Sequence, residues 1–192
     1  MAVPRQLPNA ITIVRILCAP VFLWMLLADA GQDGPLRWGA AALFIVAIAT
    51  DGIDGAIARR NDIVTDLGKL LDPIADKALT GCAFVGLSIL GELPWWVTAL
   101  ILLREVGITV YRFAVIREGV IPASRGGKLK TIAQAVAITL ALLPFWRLFG
   151  DVVFWVDGIV MTLAVVLTVV SGLDYLWQAW RSRRGGPRSA PR

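Results

Sequence analysis

Four aspartates, Asp51, Asp54, Asp72 and Asp76, stand close together in the stretch DGIDGAIARRNDIVTDLGKLLDPIADK. The chain around them is 57% hydrophobic, with a mean hydropathy of +0.72. Their gaps are helical ones. At about 100° per residue, Asp51, Asp54, Gly55 and Ala58 share roughly one third of a helix circumference, and Gly68, Asp72 and Asp76 form a stripe one turn apart on the next helix. Two antiparallel helices joined by a short connection around residues 60 to 67 would point four carboxylates into one gap. Close anions in an apolar setting are strongly unfavourable unless their pKa values rise or cations bind between them. Hard divalent ions prefer all-oxygen sites, which makes Mg²⁺ or Mn²⁺ the natural partner.

The residues between the acids shape the gap. Gly55, Ala58 and Gly68 keep this face low, open either to a bulky ligand or to a close neighbouring helix. Arg59 is placed to neutralise a phosphate or to anchor the helix end, whereas Arg60 reads as an anchor alone. Thr65 or Asp66 can cap the second acidic helix, and Pro73 removes a backbone hydrogen bond beside Asp72, which predicts a kink. The chain has no histidine, and its two cysteines, Cys18 and Cys82, lie in separate apolar segments. Imidazole or thiolate metal sites, histidine-dependent triads and a disulfide framework therefore lose support.

The elements that must position these groups are membrane spans. The segments predict an all-α polytopic protein with six transmembrane helices, at about 9 to 29, 36 to 59, 67 to 90, 94 to 117, 128 to 149 and 152 to 180. The second and third have purely apolar runs of only 13 residues, Trp38 to Thr50 and Ala78 to Leu90. That is about 20 Å of helix against a core of about 30 Å, so both must continue through their aspartates, which places the acids toward one face of the membrane. Lys and Arg collect at alternate helix ends, with Arg37 and Arg147 as the exceptions. This predicts that both termini are cytoplasmic, along with the acidic ends. Residues 1 to 180 form the transmembrane domain, and 181 to 192, RSRRGGPRSAPR, a basic disordered tail drawn to anionic lipid. The basic charge thus points to membrane lipid, with no nucleic-acid partner expected. The eight tryptophans fit an aromatic belt.

Eight positions, Asp51, Asp54, Gly55, Ala58, Arg59, Gly68, Asp72 and Asp76, resemble the signature of the CDP-alcohol phosphotransferases one for one. PNAITIVR, LREVGITVYR, GKLKT and SGLDY look like the bacterial branch that acts on glycerol 3-phosphate. The resemblance implies a six-helix enzyme of the bacterial cytoplasmic membrane, commonly a homodimer, with a polar cavity open to the cytoplasm. It implies that Asp51, Asp54 and Asp72 ligate two divalent ions, Mg²⁺ or Mn²⁺, that Asp76 contacts metal and acts as general base, and that Gly55, Ala58, Arg59 and Gly68 line the CDP-diacylglycerol site. The implied reaction moves a phosphatidyl group from CDP-diacylglycerol to sn-glycerol 3-phosphate and releases CMP.

The acceptor's phosphate needs cations of its own, and the candidates are Arg104, Arg112, Lys128 and Lys130, with Arg125 further out. Arg104 lies well inside the fourth helix beside Glu105, where charges are costly and should be paired or functional. A structural Arg104–Glu105 pair and a Glu105 that orients Arg112 are both open. Lys77 reads as a charge-balancing residue, and Arg15 as either a snorkelling or a cavity residue. Two other functions compete: the same chemistry with phosphatidylglycerol, inositol phosphate or serine as acceptor, and divalent-cation transport. Against transport, the acids gather at one membrane edge and no inverted repeat is visible.

Overall fold

Apolar runs bounded by Gly, Pro and charge become helices throughout. The computed structural model describes residues 7–60, 66–115 and 125–184, with side chains over 13–50, 74–75, 77–111 and 127–181. The helices are α1 (Leu7–Asp29), α2 (Pro35–Arg60), α3 (Asp66–Ile89), α4 (Trp95–Val115), α5 (Arg125–Leu142), α6 (Trp146–Phe149) and α7 (Val152–Arg184). No strand occurs among the described residues. Each expected span has its helix, and both acidic segments are helical, α3 running on through Pro73.

Two boundaries differ from expectation. The fifth helix stops at Leu142 rather than near 149, and a single turn, α6, follows. Pro144 is the cause, because it has no N–H to donate and disfavours helical backbone at Leu143. The turn itself ends at Gly150, whose φ of 67° suits a residue without a Cβ. At the other end of the chain, α7 carries its helix into the basic segment as far as Arg184. The rest of the expected tail, 185–192, lies outside the described residues.

Helix α1 packs against α3 and α2, α5 against α7, and α4 against α3 and α7. Phe22, Leu26, Phe44, Leu79, Phe84, Leu87, Ile101 and Ile138 fill the core. Small residues set the helix spacing: a Cβ on Gly39 would stand 2.4 Å from Met25 Cε, and one on Gly86 2.7 Å from Leu26 Cδ2. Such close approach is how helices gain contact where burial from water contributes little. Large apolar side chains also cover the outside, including Leu103, Val110, Ile132, Ile159, Leu163 and Leu173, a surface that suits lipid better than water.

One helix among the described residues is long and apolar enough to cross a membrane, α7 over Val152–Arg181 with mean hydropathy 2.3. Pro35–Thr50 and Lys77–Ile89 are apolar but shorter, as the two 13-residue runs required.

The turns after α1, α3 and α5 meet at one end of the bundle, here the turn end, around Arg37. This side chain is 0% exposed. Its guanidinium donates to both oxygens of Glu92, at 2.6 and 2.7 Å, and to the carbonyls of Leu142 and Ala141, at 3.0 and 2.7 Å. It thereby takes the last carbonyls of α5, which the helix cannot satisfy itself. Asp29 Oδ1 accepts from the Gly34 and Arg37 N–H groups at 2.9 and 3.3 Å, and so caps α2. Gly91, at φ 76°, turns the chain so that Glu92 reaches Arg37. Arg147 bonds the Gln32 carbonyl at 2.9 Å and lies 3.5 Å from Asp33. The two basic residues on the unexpected side are therefore parts of a staple.

Of the tryptophans, Trp24, Trp38, Trp95, Trp96, Trp155, Trp177 and Trp180 are exposed. Trp146 differs: Arg37 stands 5.4 Å over its ring, and Phe154 stacks on it at 5.7 Å.

Candidate functional site

Opposite the turn end lie the helical segments that carry the aspartates. Asp51, Asp54, Gly55, Ala58 and Arg59 occupy the last turns of α2, and Gly68, Asp72 and Asp76 the first three turns of α3. The spacings of three and four residues thus act on real helices, which is what places each set on one face. The side chains of all eight, and residues 61–65 between the helices, lie outside the described residues. No group of three His, Cys, Asp or Glu elsewhere among the described residues is arranged to hold a metal. Aspartates are hard oxygen donors of the kind that Mg²⁺ or Mn²⁺ takes.

One residue past Asp76, a second constellation begins. Lys77 of α3 donates to Glu105 Oε2 of α4 at 2.7 Å. Lys130 of α5 bonds Glu105 Oε1, and Arg104 Nη1 donates to the same oxygen at 3.0 Å. One carboxylate therefore ties three helices together and faces three cations. Glu105 is about 15 Å along α4 from Trp95, and Lys130 and Lys77 are each about 18 Å along α5 and α3 from the turn end. The cluster is thus level with Asp76, deep in the bundle.

Arg104 is held from a fourth side. Its Nη2 donates to Ser171 Oγ of α7 at 2.9 Å, while Ser171 gives its own proton to the Thr168 carbonyl at 3.1 Å. Gln134 of α5 donates to Thr168 Oγ1 at 2.8 Å, joining the two helices just beyond. Arg104 Nε is buried and has no hydrogen-bond partner among the described residues. Among the described residues, Arg104, Lys77 and Lys130 share one carboxylate and the buried Arg104 Nε donor is unused, so this part of the cluster carries an excess of positive charge.

Among the acceptor-phosphate candidates, Arg104 and Lys130 come together on Glu105. Lys128 is exposed, as expected two residues from a buried Lys130 on one helix. The side chains of Arg112 and Arg125 lie outside the described residues. Arg15 is buried, which favours an inward over a snorkelling placement. Sequence reasoning identified Glu105 as a partner of arginine, but missed that Lys130 shares it. It noted SGLDY without a role; Ser171 and Gly172 prove to be the residues against Arg104.

Two helices thus carry aspartates at spacings of three and four residues, and three cations, the first of them one residue past Asp76, gather on Glu105. The chain belongs to the CDP-alcohol phosphatidyltransferase family, whose model matches residues 5–170. A probable phosphatidylglycerophosphate synthase of Mycobacterium tuberculosis is 49% identical over 180 residues, covering 94% of this chain and 84% of that protein. The CDP-diacylglycerol–glycerol-3-phosphate 3-phosphatidyltransferase of Bacillus subtilis is 36% identical over 92% of this chain and 96% of its own length. A protein of the same name from Shigella flexneri is 35% identical, with 89% and 93% covered.

Proposed function

We infer that this chain transfers a phosphatidyl group from CDP-diacylglycerol to sn-glycerol 3-phosphate, releasing CMP and forming phosphatidylglycerol phosphate. The observation that carries the reading is the family's eight-position signature set on two helices, in a chain similar along most of its length to proteins named for this activity. The acceptor reading gains from the Glu105 cluster, where three cations converge on one carboxylate. Such a site suits a phosphomonoester better than serine, whose net charge is near zero.

In the mechanism we propose, Asp76 takes the proton from the 1-hydroxyl of the acceptor as that oxygen attacks the phosphatidyl phosphorus. The new P–O bond forms while the bond to CMP breaks, and CMP leaves with the bridging oxygen. Asp51, Asp54, Asp72 and Asp76 would hold Mg²⁺ or Mn²⁺, which supplies charge compensation for the diphosphate and the leaving oxygen. Gly55, Ala58, Arg59 and Gly68 would line the cytidine diphosphate site. Arg104 and Lys130 would receive the acceptor's phosphate, so that both substrates meet in one cavity. Six spans with cytoplasmic termini, in a bacterial inner membrane, would let the acyl chains stay in lipid while the headgroup reacts at its edge. A homodimer is part of the same proposal.

The test is CMP release by purified protein with CDP-diacylglycerol and Mg²⁺ or Mn²⁺, offering glycerol 3-phosphate, inositol phosphate, serine and phosphatidylglycerol in turn. Metal-dependent turnover with glycerol 3-phosphate alone supports the reading. Turnover with another acceptor keeps the site and changes the activity, and no CMP from folded protein with any acceptor contradicts it.

A further inference from the structure

Helix α7 is mostly an outward-facing, apolar element, with Ile159, Leu163, Val166, Val170, Leu173 and Leu176 exposed. Its inner face reads differently: Ala164, Thr168 and Ser171 are buried. Gly172, next on this face, lies against Arg104 of α4. We propose that Ser171 and Gly172 are positioning residues for the acceptor half of the reaction, holding the Arg104 guanidinium where it meets the acceptor's phosphate. This rests on the reading of the Glu105 cluster as the acceptor-phosphate site.

Two observations define the device. Ser171 Oγ spends its only proton on the Thr168 carbonyl, so toward Arg104 Nη2 it acts purely as an acceptor. Together with Glu105 on Nη1, it holds both ends of the guanidinium fork and leaves the Nε edge unengaged among the described residues. Gly172 then supplies the space. A Cβ at this position would stand 3.2 Å from both Arg104 Cγ and Arg104 Nε. Those atoms are in the middle of the side chain rather than at a free end, so an added methyl displaces the stem and with it the fork. One turn further, the rings of Tyr111 and Tyr175 meet edge to face with centroids 6.0 Å apart. This contact also joins α4 to α7. A side chain at Gly172 would thus press on the cation it abuts.

A double-mutant cycle between Gly172→Ala and Arg104→Ala tests this, read as KM for glycerol 3-phosphate against KM for CDP-diacylglycerol. Gly172→Ala should raise the acceptor KM by about tenfold, the scale expected for displacement of a positioned group by a fraction of an ångström. The CDP-diacylglycerol KM should stay within about twofold. In the Arg104→Ala background the same substitution should change acceptor KM by less than about twofold, because the residue it acts through is gone. Ser171→Ala, which removes volume and cannot clash, should raise acceptor KM by roughly two- to tenfold, the range of one lost hydrogen bond. A Gly172→Ala effect that falls equally on both substrates, or that multiplies in full onto Arg104→Ala, overturns the proposal while leaving the acceptor site intact. An acceptor KM unchanged by Arg104→Ala itself overturns the acceptor-site reading and this inference with it.

Discussion

Two ionic clusters stand out among the described residues, and they are built in opposite senses. At the turn end, Arg37 and Arg147 meet Asp29, Asp33 and Glu92. Near Asp76, Lys77, Arg104 and Lys130 meet one carboxylate among the described residues, Glu105. In the first, Arg37 gives its donors to a bidentate carboxylate and two helix-terminal carbonyls, and Asp29 receives the first amides of α2. Its net negative charge sits at a helix N-terminus, where anions are favoured. In the second, the cations outnumber the carboxylate, and a buried guanidinium nitrogen stays unpartnered among the described residues. Both clusters keep an unpartnered buried atom among the described residues, Asp29 Oδ2 and Asp33 Oδ1 at the turn end and Arg104 Nε near Glu105, so what separates them is the sign of the excess charge, negative in the first and positive in the second. On the proposed function, the turn end holds the bundle and the Glu105 cluster receives the acceptor's phosphate.

Several substitutions break or sharpen this division. The largest effect belongs to the carboxylate helices: Asp76→Asn should lower CMP release by about 10²- to 10⁴-fold, the usual contribution of a general base. Its thermal unfolding midpoint should stay near that of the wild type. At the turn end the pattern inverts. Arg37→Met leaves the Leu142 and Ala141 carbonyls without their donor and Glu92 without its partner, and should cost about 1 to 3 kcal/mol of stability, read as a lower midpoint in detergent. KM for both substrates in the folded fraction should stay within about twofold, and an acceptor KM that moved would show that the clusters are not separate in function. Trp146→Leu removes the ring under Arg37 and should cost roughly 1 kcal/mol, again without kinetic change. Lys128→Ala, at an exposed position near the receptor cluster but off it, should leave acceptor KM within about twofold. A tenfold rise there would move the phosphate site to the other face of α5.

Local signals carried most of the fold. The helices followed from apolar runs and their punctuation, and the acids could be placed on common faces because gaps of three and four residues have one meaning on a helix. The early end of α5 was also legible, since Pro144 stands in plain view inside the expected span; the apolar flanks outweighed it. Pairings across long sequence distance were not legible. Arg37 finds Glu92 55 residues on and Leu142 105 residues on, and no local pattern links them. Arg37 therefore read only as an exception to the charge bias. Arg104 and Ser171 are 67 residues apart; each lay in a recognisable stretch, but only packing of α4 on α7 joins them. Lys130 stood undivided from Lys128 among the acceptor-phosphate candidates, because its burial depends on Glu105 of another helix.

The account turns on the receptor cluster, and one variant addresses it with least disturbance. Lys130→Met keeps the length and apolar stem of the side chain and deletes its charge, leaving Glu105 paired with Lys77 and Arg104. The measurement is KM for sn-glycerol 3-phosphate beside KM for CDP-diacylglycerol in the same preparation. Loss of one charge-assisted contact to phosphate predicts an acceptor KM raised about tenfold or more, with the CDP-diacylglycerol KM within about twofold. Equal shifts in both constants, or an acceptor KM that does not move, would contradict the assignment of this cluster to the acceptor's phosphate.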